Sequence, residues 1–501
     1  MKEDQHYNSD CSSNSTKSLF FSIKSAFDND SSDTLLPSSV PGTPTTVVAV
    51  GGDYGAIASV DALQADRPGY GTSSTTGSCM NLVNAMMGSG IIGLPLALHM
   101  CGLWMGLLCS VGVAILTGIA MHLLVLCGIR SRQYTMADLA RVSLLGTWGS
   151  HLVNFLMVFH TAGTAVSYYI LLGDMLPELF DNYGLHWLAD RRLSVVSFGL
   201  FCSLPLSLPR SIAPLAKWST FNVMLLPLVL LGVFIRMPKY ATEPPVLDWT
   251  WPANHELFKG LAILGLSFGC SQNVFGVYLS QRDQRPSQFL LADTSSLLIG
   301  YTINMLFGIM GFLCFGNKIQ ANVLLNFPND DPVINIVRLL FGVFMVFTIP
   351  MSIYPCRESL QKLLGYNTDG RIPTNKEHYG TTAAVFTIVL SLGATLTELG
   401  KVFAVIGGFS TTALGLLLPG AAYAALFLPE LIMPDKNGNH DESIAVTTTP
   451  IVESSHDHNS CSKFAGAVQY PVSASWALMI SSFILILVSF PIMYFAILEA
   501  L

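Results

Sequence analysis

Long apolar runs separated by short polar loops make up the chain after residue 75. A helix that crosses a membrane needs about 20 predominantly apolar residues, and windowed hydrophobicity predicts eleven such helices here. This pattern is typical of an all-α polytopic membrane protein. The predicted spans cover residues 77–99, 103–129, 149–173, 193–209, 214–235, 257–279, 289–315, 333–356, 380–397, 402–428 and 474–498.

The first predicted span is interrupted at its middle. It reads GSCMNLVNAMMGSGIIGLPLALHM over Gly77–Met100, and Gly88-Ser89-Gly90 falls halfway along it. In hydrocarbon every backbone polar group must be satisfied within the protein, so an unwound membrane segment persists only where it lines a cavity or a ligand. Several transporter folds use such a break to offer N–H groups to a substrate carboxylate and carbonyls to a small cation. The interruption therefore indicates a membrane transporter.

A second interruption lies in the sixth span, between Leu264 and Asn273. Paired breaks at corresponding positions of two halves are the best sequence indication of a transporter binding site. Spans one to five and six to ten are then expected to form inverted repeats, because an odd number of helices per half inverts the second copy. Span eleven is expected to be peripheral. This expectation rests on the layout, since the halves share no convincing residue-level identity.

Composition agrees with an integral membrane protein. Hydrophobic residues make up 51% of the chain and charged residues 11%, against about 25% charged residues in soluble domains. The net charge of −7 is spread over tails and loops and indicates no nucleic-acid partner. Ten cysteines show neither a disulfide framework nor metal-ligand spacing. The sequence contains no Walker A, HExxH or clustered catalytic acids, which argues against an ATP-driven pump or a membrane enzyme.

The polar segments predict the domain organisation and the topology. Residues 1–75 and 430–472 are predicted to be a disordered cytoplasmic tail and loop. They flank a ten-helix transport core at 76–429, and the eleventh helix and terminus follow at 473–501. Placing the amino terminus in the cytoplasm puts most Lys and Arg residues of the loops on the cytoplasmic side, as the positive-inside rule favours.

Two short patterns in the tail resemble sorting signals. Tyr54-Gly55-Ala56-Ile57 fits the Tyr-x-x-apolar pattern, and Asp33-Thr34-Leu35-Leu36 approaches an acidic dileucine signal. They predict sorting adaptors as partners of the tail. They also favour a vacuolar or lysosomal membrane over the plasma membrane.

The segment MNLVNAMMGSGIIGLPLA (Met80–Ala97) closely resembles the first helix of the amino acid/auxin permease superfamily, particularly its sodium-coupled neutral amino acid transporter and fungal vacuolar amino acid transporter branches. The resemblance implies a LeuT-like core and ion-coupled secondary transport of amino acids by alternating access, with Na+ or H+ as the coupling ion and no other cofactor. Further segments match in the same order: YTMADLAR (Tyr134–Arg141), GTAVSYYILLGDMLP (Gly163–Pro177), GFLCFGNKIQANVL (Gly311–Leu324), TIPMSIYPCRESL (Thr348–Leu360) and VFAVIGGFSTTALGLLLPGAAYAAL (Val402–Leu426).

Met87, Gly88, Ser89 and Gly90 are the predicted substrate-binding residues of the first break. The carboxylate of a zwitterionic amino acid needs several N–H donors in a site of low dielectric, and a helix amino terminus supplies them with partial positive charge. Close helix packing through small residues is the alternative. The paired break and the family resemblance favour substrate binding.

The resemblance places a gating aromatic and substrate-facing backbone at the second break, where Phe268, Cys270 and Asn273 lie. Phe268 is accordingly predicted to close over the ligand, although an aromatic ring packed in the core or against lipid is the alternative. Tyr168 and Thr164 in span three are predicted to line the same cavity.

Asn84 and Thr348 form the predicted cation site. In the sodium-coupled transporters that the chain resembles, the matching Asn in the first helix and Thr in the eighth help to bind sodium. Carboxamide and hydroxyl oxygens suit a hard cation without burying a permanent negative charge. An interhelical hydrogen bond, worth about 0.6 kcal/mol on average, is the alternative. Fungal relatives include proton-driven transporters, so the coupling ion is left open.

Few titratable groups lie within the predicted spans. His160 is the only one deep in span three, and it is either a functional ionisable residue or a neutral histidine bonded to a neighbouring carbonyl. Asp174, Asp293 and Glu398 sit at span ends, where we expect solvated positions. No buried charge is positioned to pair with a charged substrate side chain, so neutral amino acids are the predicted substrates. The alternative function is an amino acid sensor that signals through its N-terminal tail.

Overall fold

The computed structural model describes residues 71–182, 184, 186–210, 225, 227–240, 256–367, 371–432 and 472–500. Within these ranges the chain is helical, and the one bridge between extended residues pairs Ser73 with Gln281. Both sorting patterns, most of the predicted tail and loop, and much of the predicted fifth span lie outside the described residues.

The α-helices of the described ranges follow the predicted spans in order. They are α1 Thr75–Met86, α2 Leu94–Cys101, α3 Leu103–Ser131, α4 Met136–Ser143, α5 Thr147–Asn182, α6 Arg191–Phe198, α7 Leu204–Ser207, α8 227–236, α9 Glu256–Phe268, α10 Val274–Ser280, α11 Pro286–Phe315, α12 Pro332–Leu363, α13 Asn375–Thr395, α14 Leu399–Val405, α15 Leu418–Ile432 and α16 Trp476–Ala500. Turns of π-helix at Ile406–Thr411 and Ala413–Leu417 link α14 to α15.

Seven helical segments of the described chain are long and apolar enough to cross a membrane, and the bent pair α1–α2 makes an eighth when it is taken as one span. The predicted fourth and ninth spans are also helical, as α6–α7 and α13, but they do not meet the same test of length and composition. The all-helical membrane fold is therefore confirmed. The count of eleven spans and the inverted repeat stay predictions.

Asp331 begins α12 and gathers hydrogen bonds from two segments. Its carboxylate caps the helix by accepting from the N–H groups of Val333 at 2.9 Å and Ile334 at 3.2 Å. Arg236 donates to the same carboxylate at 3.2 Å, and the Tyr240 hydroxyl donates to it as well. Burial raises the pKa of this carboxyl, but these donors outweigh burial and hold the pKa below its usual range.

One arginine anchors the turn between α11 and α12. Arg338 on α12 is 0% exposed, and its guanidinium donates to the carbonyls of Leu324 at 3.2 Å and Phe327 at 3.1 Å. The planar, permanently charged guanidinium suits several acceptors at once. The 3₁₀ turn Val323–Asn326 packs against the turn Ser89–Gly93. Arg338 therefore holds a loop against the middle of the first predicted span.

The helix α9 is wedged between α2 and the π-helical turn Ile406–Thr411. The contact with that turn is close, because a Cβ added to Gly407 would lie 2.0 Å from the carbonyl oxygen of Ala262. The backbone fixes the position of the Cβ, and the oxygen belongs to the backbone of Ala262, so no side-chain rotation relieves such a clash. Only glycine at position 407 allows this approach.

Replacing Gly407 by Ala should reduce the free energy of unfolding by about 1–3 kcal/mol, the usual cost of overpacking a well-packed interior. The measurement is the thermal unfolding midpoint of the detergent-purified protein. Gly112→Ala on α3 is the matched control, because an added Cβ there meets nothing within 4 Å. Equal midpoints for the two variants would contradict the close approach of α9 to this turn.

Candidate functional site

The first predicted interruption is present. The helix α1 ends at Met86, and Met87 (φ −83°, ψ 63°) and Gly88 (φ −105°, ψ −157°) leave the helical conformation. A 3₁₀ turn, Ser89–Gly93, then leads into α2, and the two halves of the span are bent by 51°. Peptide groups near Gly88 thus lose their regular helical partners inside a membrane-spanning segment.

A tyrosine of α5 reaches the unwound backbone. The Tyr168 hydroxyl lies beside Gly88, since a Cβ added to Gly88 would be 3.3 Å from the phenolic oxygen. The Ser89 hydroxyl lies 3.1 Å from that of Ser167. Both Tyr168 and Ser89 are buried. A phenolic hydroxyl therefore lies against the unwound backbone of the first break.

The second predicted interruption is present too. The helix α9 ends at Phe268, Gly269 and Cys270 are not helical, and a 3₁₀ turn, Ser271–Asn273, precedes α10. Local hydrogen bonds partly replace the helical ones, since Gly269 N–H donates to Leu266 at 3.3 Å and Asn273 N–H donates to Cys270 at 3.0 Å.

The two breaks meet at Gly90 and Ser267. A Cβ on Gly90 would lie 2.8 Å from Ser267 Oγ and 2.9 Å from Ser267 Cα, so only glycine allows this approach. Asn304 of α11 joins the contact, because its amide donates to the Ser267 carbonyl at 3.3 Å. Its Oδ1 is buried without a hydrogen-bond partner. The first and second breaks thus form one polar centre between α1–α2, α9–α10, α5 and α11.

Ser167, Ser267 and Asn304 belong to this centre and were missed by sequence reasoning. Asn304 carried a usable signal, since it is the one carboxamide within the apolar run 289–315. Serines are common in membrane helices and often bond their own backbone, so Ser167 and Ser267 carried no comparable signal.

The remaining residues predicted at the second break lie in different surroundings. Phe268 is 0% exposed, and its ring stacks on that of Tyr301 with centroids 5.9 Å apart. Cys270 is buried, and its thiol contacts the Met121 sulfur at 3.2 Å. Asn273 is exposed. The gating role of Phe268 stays a prediction, and in this conformation its ring is part of the packed core.

The two predicted cation ligands are not joined by a described hydrogen bond. Asn84 is half-buried on α1, one turn before Gly88. The Thr348 hydroxyl donates to the Phe344 carbonyl at 2.8 Å on α12, and the Phe344 ring packs edge-on against Tyr168 with centroids 6.5 Å apart. Thr348 therefore lies one turn beyond a residue that packs against Tyr168, and the sodium site stays a prediction.

His160 connects α5 to the second break and to the π-helical turn. It is buried, its Nε2 lies 3.2 Å from Gln272 Nε2, and its Nδ1 lies 3.3 Å from the hydroxyls of Ser410 and Thr411. The described partners of the ring are side chains, so the expectation of a bond to a neighbouring carbonyl is wrong. The imidazole therefore joins α5, the second break and the π-helical turn Ile406–Thr411.

The three acidic residues at predicted span ends differ in burial. Glu398 is exposed and pairs with Lys401 at 3.1 Å. Asp174 is mostly buried and lies 3.5 Å from Arg191. Asp293 is only 1% exposed, so the prediction of a solvated position is wrong for it. The reason is that α11 begins at Pro286, which places Asp293 about two turns inside the helix.

Comparison with known families decides the class of the protein. The family described as "Transmembrane amino acid transporter protein" matches residues 71–438. The chain belongs to this transmembrane amino acid transporter family. Its members are integral membrane transporters and not enzymes, which confirms the resemblance seen in the sequence.

Similar transporters cover most of the chain. Vacuolar amino acid transporter 2 of Saccharomyces cerevisiae is 28% identical over 374 residues, covering 69% of this chain and 75% of the yeast protein. Sodium-coupled neutral amino acid transporter 7 of Xenopus laevis is 25% identical over 424 residues, covering 77% and 90%. Among solved structures, a Na+-coupled sialic acid symporter gives a TM-score of 0.49 at 11% identity, covering 74% of this chain and 84% of that one.

Replacing Gly90 by Ala should push the first break away from Ser267 and reduce amino acid uptake. Overpacking of about 1–3 kcal/mol corresponds to roughly 5- to 150-fold in an equilibrium. Uptake of radiolabelled amino acids into proteoliposomes measures it, with equal amounts of reconstituted protein.

Gly265→Ala is the control for this prediction. Gly265 lies on α9 close to the second break, yet an added Cβ there meets nothing within 4 Å. Uptake by Gly90→Ala that matched Gly265→Ala and the unmodified protein would show that the contact of the two breaks is not needed.

Proposed function

We propose that the chain is an ion-coupled secondary transporter of neutral amino acids, which holds the substrate carboxylate on the unwound backbone of the first break. The observation that supports this most strongly is the buried Tyr168 hydroxyl beside the unwound Gly88, where an added Cβ would lie 3.3 Å from the phenolic oxygen. Gly88 and the residues around it have left the regular helix. A carboxylate oxygen makes a strong, charge-assisted bond to a backbone N–H that has lost its helical acceptor.

The Tyr168 hydroxyl then has two states. Without substrate it lies against the backbone of the first break, beside Gly88. With substrate it turns to donate to the carboxylate, because a phenolic hydroxyl can donate as well as accept. A side chain at Gly88 would press on this hydroxyl, since a Cβ there would lie 3.3 Å from the phenolic oxygen.

The chemistry around the breaks favours neutral substrates. Serine and tyrosine hydroxyls, the Asn304 amide and backbone groups supply the polarity there. These dipoles bind the zwitterionic backbone of an amino acid, while a charged substrate side chain would need a counter-charge beside it.

Transport proceeds by alternating access around the two breaks in this proposal. Eleven spans, with spans one to five and six to ten as LeuT-like inverted repeats, would let one bundle rock against the other. The amino terminus is cytoplasmic in this scheme. A vacuolar or lysosomal membrane is proposed as the location, in keeping with the names of relatives such as vacuolar amino acid transporter 2.

The coupling ion is either Na+ at Asn84 and Thr348 or a proton. One cation moving down a 100 mV potential supplies about 2.3 kcal/mol, which supports roughly a 50-fold substrate gradient. Sorting adaptors that bind the tail remain part of the proposal.

Uptake of a panel of radiolabelled amino acids into proteoliposomes tests this function. We expect accumulation of neutral amino acids under an inward gradient of Na+ or H+, and little uptake of lysine or glutamate. Methyl esters of the same amino acids should fail to compete, because they lack the carboxylate. No flux of any amino acid under either gradient would contradict the proposal.

Asn84→Ala should weaken the dependence of uptake on the coupling ion more than it changes the range of substrates. The reason is that a carboxamide oxygen one turn before the break is assigned to the cation and not to the amino acid. Uptake at varied Na+ and at two pH values measures the effect. Asn317→Ala, which alters an exposed asparagine, is the control, and a change in selectivity alone would refute the assignment.

A further inference from the structure

The carboxyl of Asp293 is buried in the membrane-spanning part of α11 without a hydrogen-bond partner. Its residue is 1% exposed, and both Oδ1 and Oδ2 are shielded from solvent and unpaired. The Ser296 hydroxyl, about one turn along the helix, donates to the Asp293 backbone carbonyl at 2.7 Å and not to the carboxyl. Buried polar groups are almost always paired, and ionisable residues inside a membrane mark ion pathways by default.

The part of α3 that faces this carboxyl carries apolar and sulfur-containing groups. Gly118 of α3 faces it, because a Cβ on Gly118 would lie 3.8 Å from Asp293 Oδ2 and 2.6 Å from a Leu297 methyl. Met121, one turn from Gly118 on α3, contacts the Cys270 thiol of the second break at 3.2 Å. A hard cation such as Na+ needs several oxygen ligands, which these neighbours do not supply.

Tyr278 of α10 is one titratable neighbour of this part of α11, because its ring packs edge-on against Phe289, one turn before Asp293. His122 lies one turn from Gly118 on α3, and its Nδ1 is buried without a partner. The second break carries the titratable residue Cys270, and α1 carries Cys79. Arg130, further along α3, pairs with Glu430 at 3.2 Å.

At the start of α11, Arg285 donates to Asp283 at 2.9 Å. The segments that meet the opposite end of α11 carry further titratable groups. There Gly308 packs on Leu98 and Gly311 on Pro95 and Met237. The groups at that end are His99, Lys239, Tyr240, Glu256, Lys259 and Lys318.

We propose that Asp293 is the proton-binding site of the transport cycle, protonated while the second helix break is closed and ionised when that break opens to water. This inference rests on the proposed transport function and chooses the proton as its coupling ion. An unpaired ionised carboxylate at this depth is too costly to persist, so the closed state holds the neutral acid. In the open state the carboxyl O–H bond breaks, the proton passes to water, and the carboxylate is hydrated.

The position of Asp293 explains how the proton is linked to substrate. Phe289, one turn before Asp293 on α11, packs edge-on against Tyr278 of α10, the helix that follows the 3₁₀ turn Ser271–Asn273. Any movement of that turn which opens the substrate centre also changes the hydration of this carboxyl. Protonation therefore favours the closed, substrate-holding arrangement, and release of the proton favours opening.

The test compares Asp293→Asn with the unmodified full-length protein in proteoliposomes, with one neutral amino acid found to be transported. The first readout is exchange of labelled for unlabelled substrate at equal pH on both sides, which needs no ion gradient. The second is accumulation driven by a gradient of one pH unit without Na+, which one coupled proton raises by up to about tenfold. A pH-sensitive dye inside the vesicles reports proton entry on addition of substrate.

We expect Asp293→Asn to keep at least half of the exchange rate, because the carboxamide mimics the neutral acid. Its accumulation under the pH gradient should fall to a ratio near one, and the substrate-induced dye signal should vanish. Glu398→Gln, the same chemical change at an exposed carboxylate, should behave as the unmodified protein. Asp293→Glu keeps a titratable group and should retain accumulation with a displaced pH midpoint.

Three results would overturn the assignment of the proton to Asp293. The first is tenfold accumulation by Asp293→Asn under the pH gradient. The second is loss of both exchange and accumulation in Asp293→Asn and in Asp293→Glu. The third is accumulation by the unmodified protein that is driven by Na+ and does not respond to pH. Absence of any exchange in the unmodified protein would instead refute the transport function itself, so the two failures are distinguishable.

Discussion

A peptide group that loses its helical partner inside hydrocarbon must find another partner, and there is no water to provide one. Here two spans are unwound at neighbouring places, and local bonds and a side chain of an adjacent helix satisfy part of their backbone. The Gly269 N–H donates to the Leu266 carbonyl at 3.3 Å, and the Ser267 carbonyl accepts from the Asn304 amide. The close approach of Gly90 to Ser267 makes this arrangement a single centre.

Structures on both sides keep this centre in place. On one side Arg338 pins the turn Val323–Asn326, which packs against the first break. On the other side His160 ties α5 to Gln272 at the second break and to the π-helical turn. An amino acid that entered the centre would replace polar contacts that the protein now makes with itself. Binding and closure are for that reason expected to be linked.

The sequence predicted where the two helices are interrupted, but it did not predict most of the side chains from other helices that surround the interruptions. Gly-Ser-Gly within an apolar run is a local signal, so the first break could be placed to the residue. The second break was confined to Leu264–Asn273, within which α9 ends at Phe268. Ser167, Ser267 and Asn304 join the centre only through helix crossings that no local pattern encodes. Asp293 was misjudged because hydrophobicity does not locate a helix start, and α11 begins early enough to carry that carboxyl inward.

A structure of the purified protein with a bound neutral amino acid measures the role of the unwound backbone directly. We expect the substrate carboxylate within about 2.7–3.2 Å of the N–H groups of Ser89 and Gly90, with the Tyr168 hydroxyl turned toward it. An amino acid bound elsewhere, with α1 and α2 joined into one continuous helix, would contradict this role.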